Sequence, residues 1–186
     1  MSLMINLYLF LNLILNKSFK FKKNFLLLIL IFHVTLSLYF LFQLPFSQNN
    51  YNPLKILFLL LVIWSSDSAG YLIGIKFGKR KLMKSISPKK TIEGLIASLF
   101  FALIISLIFG FLIDYDNLLE LSLIGFFIAF LGSIGDLIES KFKRQSGIKD
   151  SGKILKSHGG IYDRLDSLIF SAPFLYLMYS FNFLNF

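Results

Sequence analysis

The sequence predicts an all-α fold that crosses a membrane several times, and three observations predict it. Of its 186 residues 56% are hydrophobic and only 16% charged, with a mean hydropathy of +0.72, far more apolar than a soluble domain of this length needs. The apolar residues fall in unbroken runs near the roughly 20 residues that a helix needs to cross about 30 Å of hydrocarbon. The lysines and arginines gather in alternate connections between those runs, as they do in helical membrane proteins.

The first apolar stretch, 3–15, is short for a span and is followed by Lys17, Lys20, Lys22 and Lys23. No basic region precedes it and no small-residue cleavage site follows, so it reads as a truncated or irregular span rather than a signal peptide. Five fuller spans follow at 25–42, 54–75, 95–113, 118–138 and about 167–183. Segment 47–53 is uncharged and 114–117 is acidic, whereas 17–23, 76–90 and 141–164 hold nearly every cation. Under the positive-inside rule those three basic loops are cytoplasmic, and five spans satisfy the assignment without conflict. The net charge of +9 is therefore mostly topological, and nucleic acid is not the expected partner.

The chain has no cysteine, which excludes disulfides, thiolate zinc sites and a cysteine nucleophile. Any metal must then bind oxygen or imidazole. Topology does not explain the acids: Asp67 interrupts one apolar span and Asp136 lies near the end of another. An intramembrane carboxylate is costly unless it faces a partner, a metal or water, so both are functional candidates.

Asp136, Glu139, Ser140 and Lys143 are spaced i, i+3, i+4 and i+7 and share one face if the helix continues past the membrane. Asp163 and Asp166 are likewise i, i+3. The break between the groups contains Gly147, Gly152, Gly159 and Gly160, which lets the chain turn back and places Asp136, Asp163 and Asp166 at one cytoplasmic depth. Three carboxylates with one nearby imidazole suit Mg²⁺ or Mn²⁺ better than zinc. Helix-to-helix ion pairs are the competing account, with Arg164 beside Asp163 and Lys143 near Glu139. The surrounding cations, Lys141, Lys143, Arg144, Lys149, Lys153, Lys156 and Arg164, fit phosphoryl or nucleotidyl transfer, where polyanionic reactants must be neutralised as they meet.

Two features read as structural. G-I-K-D-S-G-K at 147–153 mimics a P-loop, but Ile154 replaces the required Ser or Thr and no strand is expected before it. Gly70, Gly74 and Gly78 form a small-xxx-small series that implies close helix packing. His33, alone in an apolar span, is expected to be hydrogen-bonded, whereas His158 precedes two glycines that bring backbone amides near a phosphate.

Residues 140–167, S-K-F-K-R-Q-S-G-I-K-D-S-G-K-I-L-K-S-H-G-G-I-Y-D-R-L-D-S, resemble the signature of the phosphatidate cytidylyltransferase (CDP-diacylglycerol synthase) family. The S-x-x-K-R, K-D, H-G-G and D-R-x-D elements fall at Ser140/Lys143/Arg144, Lys149/Asp150, His158/Gly159/Gly160 and Asp163/Arg164/Asp166. Upstream, S-P-K-K-T-x-E-G at 87–94, D-S-A-G-Y at 67–71 and Gly135-Asp136-Leu137 also match, so the resemblance covers about 64–186. Lys156-Ser157 stands where members have Pro-Gly, which bears on that loop's conformation and removes no ligand. Members also carry further N-terminal spans, so the chain is expected to be a reduced member or to begin at an internal methionine.

The resemblance implies transfer of a cytidylyl group from CTP to phosphatidate, with Mg²⁺ as cofactor and Mn²⁺ or a second cation as alternatives. It implies Asp136, Asp163 and Asp166 as metal ligands, with Lys149 and Arg164 also catalytic. Lys143, Arg144, Lys149 and Arg164 would contact phosphates, joined by Ser87, Lys89 and Lys90 from the other basic loop. Asp67 would position a cation or the 87–94 loop, and His158 would contact nucleotide phosphates. On this basis 1–53 is an N-terminal apolar part and 54–186 the catalytic membrane domain, with cytoplasmic loops 76–94 and 139–166. A homodimer in the inner membrane, its active site facing the cytoplasm, is the implied setting. A CTP-dependent polyprenol-type lipid kinase and an inactive membrane scaffold are the alternatives. A CDP-alcohol phosphotransferase would need D-x-x-D-G-x-x-A-R, which the chain lacks.

Overall fold

The computed structural model describes residues 2–15, 23–49, 51–148, 151–152 and 160–181. These form helices α1 (Ser2–Ile14), α2 (Lys23–Gln43), α3 (Leu54–Phe77), α4 (Ile92–Leu112), α5 (Leu118–Gln145) and α6 (Tyr162–Ser180). A 3-10 turn, Leu44–Asn49, follows α2, and strands β1 (Lys81–Met83) and β2 (Ser87–Thr91) lie between α3 and α4. The fold is the expected helical one, joined by a two-stranded antiparallel hairpin, an element beyond the expected helices.

The segments of α2, α3, α4 and α5 are long and apolar enough to cross a membrane, so the chain is a multi-pass membrane protein. Their outward faces carry Leu28, Trp64, Leu72, Phe100, Phe111 and Leu123, all exposed, as a lipid-facing surface requires. α6 is the helix expected as a fifth span, but it is not among the four that qualify on length and apolar character. Asp163, Arg164, Asp166, Ser167 and Ser171 make its first half polar. Residues 166–173 are nevertheless all buried, because α6 packs inside the bundle against α2 and α5.

Small residues set the closest helix approaches. A Cβ on Gly94 of α4 would lie 2.6 Å from the carbonyl oxygen of Gly70 on α3, so glycine permits this crossing and its expected packing role holds. Gly135 does the same between α5 and α6, where a Cβ would meet the Asp166 carbonyl oxygen and Phe170 Cβ, each at 2.7 Å. The crossing thus lies one residue from Asp136 and directly against Asp166.

The main apolar core joins α3, α5 and α6 through Phe58, Leu59, Val62, Leu121, Ile128, Leu168 and Leu175. A second cluster uses Leu9 and Leu13 of α1 against Leu131, Ile134, Ile138 and Phe142 of α5 and Phe170 of α6. The short first helix therefore backs the two helices that carry the acidic residues. It is pinned by a buried 2.8 Å hydrogen bond between Asn6 Oδ1 and His33 Nδ1, which gives His33 its expected partner. Lys141 Nζ, also buried, donates to the carbonyl of Asn12 at 2.6 Å.

Candidate active site

The site is built where three ends of the fold meet: the hairpin after α3, the last turns of α5 and the first turn of α6. α5 continues as one helix to Gln145, so Asp136, Glu139, Ser140 and Lys143 do share a face. Thr91 Oγ1 accepts the Gly94 N–H at 3.1 Å and starts α4, which fixes the end of β2 beside α5. Between these elements lies a cavity of about 980 Å³. Its lining includes Asp67, Ser87, Lys89, Lys90, Asp136, Glu139, Lys143, Asp163, Arg164 and Asp166.

Asp136, Glu139 and Asp166 each present a carboxylate oxygen within 4.8 Å of the other two. Lys90 Nζ lies 2.6 Å from Asp136 Oδ2, and Ser140 Oγ donates to Asp136 Oδ1 at 3.3 Å. Asp166 Oδ1 accepts the backbone N–H of Ser167 at 2.7 Å. Lys143 Nζ lies 2.5 Å from Glu139 Oε2 and 2.7 Å from Asp163 Oδ1. Glu139 is 1% exposed, and its other oxygen, Oε1, has no hydrogen-bond partner among the described residues.

An unpartnered buried carboxylate oxygen is costly without a positive neighbour or a donor. An all-oxygen donor set of this kind suits a hard divalent cation such as Mg²⁺. The residues present therefore fit the metal that the sequence implies.

Asp163, expected as the third ligand, is not in that trio. Its Oδ1 accepts from Lys143 Nζ, and its Oδ2 accepts the backbone N–H groups of Ser151 at 3.0 Å and Gly160 at 2.7 Å. Burial alone would raise its carboxyl; the hydrogen bonds with Glu139, Lys143, Gly160 and Ser151 outweigh that and hold it well below the usual carboxylate range. Asp163 thus ties the Ser151 and Gly160 amides to the start of α6, much as an acidic residue in a capping box reaches back to orphan amides. Glu139 takes the third place because it stands one turn from Asp136 on α5 and faces Asp166. The i, i+3 spacing carried that signal, although it assigned Glu139 only to an ion pair.

The other expected residues divide. Asp67 faces the cavity from α3, close enough for the charges of Lys90 and Asp136 to act on it. Ser87, Lys89, Lys90, Lys143 and Arg164 also face the cavity. Arg144 is not among its lining residues: its Nε donates to the carbonyl of Ile86 and its Nη1 to that of Ile148, each at 3.3 Å, fastening the hairpin to the end of α5. Lys149 and His158 lie outside the described residues, as do Lys156 and Ser157. The P-loop mimic beginning at Gly147 follows helix α5 rather than a strand, which removes its structural context.

Comparison with known proteins gives the same direction. The model of the cytidylyltransferase family matches residues 1–182. A phosphatidate cytidylyltransferase of Staphylococcus haemolyticus is 45% identical over 124 residues, covering 66% of this chain and 48% of that protein. One from Bacillus subtilis is 43% identical over 136 residues, covering 71% of this chain and 49% of the relative. The chain spans about half the length of the curated relatives it matches.

Proposed function

The chain belongs to the cytidylyltransferase family, and from that premise we propose that it transfers the cytidylyl group of CTP to phosphatidate, giving CDP-diacylglycerol and pyrophosphate. The observation that carries this reading is the cavity in which Asp136, Glu139 and Asp166 converge between Lys90 and Lys143. Acids and cations so interleaved suit the meeting of two phosphate-bearing reactants, and no nucleophilic side chain is required.

A phosphatidate oxygen is already anionic. In the proposed reaction it attacks the α-phosphorus of CTP, the bond from that phosphorus to the bridging oxygen breaks, and pyrophosphate leaves with the electron pair. Asp136, Glu139 and Asp166 would hold Mg²⁺, which when bound supplies charge neutralisation at the phosphates. Lys89, Lys90 and Arg164 reach the cavity from two different elements and would orient the two phosphate groups toward each other. Lys143 keeps Glu139 and Asp163 apart in role by balancing both charges. Asp163 ties the Ser151 and Gly160 amides to the first turn of α6.

The basic hairpin, the end of α5 and the start of α6 lie together at the cavity, and we place that end of the helices in the cytoplasm, where CTP is available, with the lipid headgroup at the membrane surface. The bacterial source of its relatives supports assigning it to the cytoplasmic (inner) membrane of a bacterium.

Incubating the purified protein with CTP, phosphatidate and Mg²⁺ tests the proposal. Equimolar liponucleotide and pyrophosphate are expected. CDP released without liponucleotide would replace the reading with a kinase, and no turnover of either substrate would replace it with a non-catalytic role.

A further inference from the structure

Lys90 reaches Asp136 from a strand only five residues long, in a hairpin whose turn packs buried Ile86 on the second apolar cluster and is tied to α5 by Arg144. Two-stranded ribbons are marginal in isolation, so something outside the pairing must hold this one in register. Those contacts hold its turn, and a separate fastening holds its base, where Lys90 lies. Glu93, in the first turn of α4, accepts the backbone N–H of Lys79 through Oε2 at 3.1 Å. It also accepts the backbone N–H of Arg80, at 3.1 Å through Oε2 and 3.3 Å through Oε1, and the Arg80 Nε at 3.2 Å. The Ile92 N–H closes the ring by donating to the Arg80 carbonyl at 2.9 Å.

One carboxylate therefore ties the chain leaving α3 to the chain entering α4. The pairing of Lys81 with Thr91 begins right beyond that tie. Thr91 is wedged from the other side, since a Cβ on Gly78 would lie 2.6 Å from its Cγ2. Lys90 is the next residue along. Glu93 itself is not among the residues that line the cavity.

We infer that Glu93 is a positioning residue, which through its clasp on the Lys79 and Arg80 amides holds β2 so that Lys90 stands at Asp136. The inference rests on the proposed function only for what Lys90 then does to an anionic substrate; the clasp itself stands on the hydrogen bonds above. A plain helix-capping role for Glu93 would stabilise α4 without controlling where Lys90 sits.

The absence of native cysteine allows nitroxide labels at Lys84→Cys in the hairpin turn and Gln145→Cys at the end of α5, both exposed positions. Pulsed dipolar spectroscopy of the full chain in nanodiscs should give a narrow distance distribution, broadened by Glu93→Ala and partly restored by Glu93→Gln, whose amide oxygen still accepts. In the unlabelled protein, Glu93→Ala should lower kcat/KM for cytidylyl transfer about tenfold, but less than about twofold when introduced beside Lys90→Ala, because coupled residues are not additive. An unchanged distance distribution in Glu93→Ala would overturn the inference. So would an equal loss of activity with and without Lys90. If the wild-type chain transfers no cytidylyl group, the proposed function fails while the distance measurement still decides the role of Glu93.

Discussion

Lys143 and Glu139 form an ion pair of 2.5 Å inside α5, and the same ammonium reaches 2.7 Å to Asp163 on the next segment of chain. One cation thus links α5, which presents Asp136, to the first turn of α6, the helix that presents Asp166. Glu139 is 1% exposed, so removing Lys143 takes away the cation that Glu139 and Asp163 share inside the bundle. Lys143→Ala is expected to destabilise the protein by on the order of 3 kcal/mol, read as a lowered thermal midpoint in detergent.

Gly135 governs how closely α5 and α6 approach at the site. With Asp166 O and Phe170 Cβ each 2.7 Å from a prospective Cβ, both backbone and core must shift to admit a methyl group. Gly135→Ala is expected to cost about 1–3 kcal/mol and to reduce turnover by displacing Asp166 from Asp136. Thermal unfolding and steady-state assays on one preparation would show both.

The buried Asn6–His33 hydrogen bond fixes α1 to α2. His33→Leu is expected to lower stability by about 1 kcal/mol, as intramembrane hydrogen bonds do on the larger side of their range. Adding Asn6→Leu should recover part of that loss, because removing both polar partners is less costly than stranding one. A double-mutant cycle on thermal midpoints measures the coupling.

Topology can be read directly from a chain without cysteine. Lys84, in the hairpin, and Asp116, in the turn between α4 and α5, are exposed at opposite ends of α4. Lys84→Cys should react with a membrane-impermeant maleimide only from the cytoplasmic side and Asp116→Cys only from the other.

Much of this architecture is written in local pattern. The apolar runs mark the spans, and Asp136 and Glu139 lie one turn apart on a helix that continues past the apolar region. The hairpin is not so written. Lys-Leu-Met and Ser-Pro-Lys-Lys-Thr lack β-branched alternation, and Pro88 argues against a strand unless its missing N–H faces away from the partner. Those strands rest on tertiary contacts, Glu93 and Thr91 at their base and Ile86 packing with the Arg144 hydrogen bond at their turn. The choice between Glu139 and Asp163 was equally hidden. Spacing places both at the right depth, but only packing reveals that Asp163 is occupied by Lys143, Ser151 and Gly160. Arg144 shows the same limit, since a signature cation bonds the Ile86 carbonyl of the hairpin and the Ile148 carbonyl after α5 and does not line the cavity.

The central claim is that Asp136, Glu139 and Asp166 form the reacting centre. The most direct measurement is Mg²⁺-dependent formation of CDP-diacylglycerol from CTP and phosphatidate by Asp136→Asn, Glu139→Gln and Asp166→Asn, each checked for folding by its thermal midpoint. Each folded variant should lose about 10²-fold or more in kcat, and chelation of the metal should abolish wild-type turnover. Wild-type rates in all three folded variants would contradict the account.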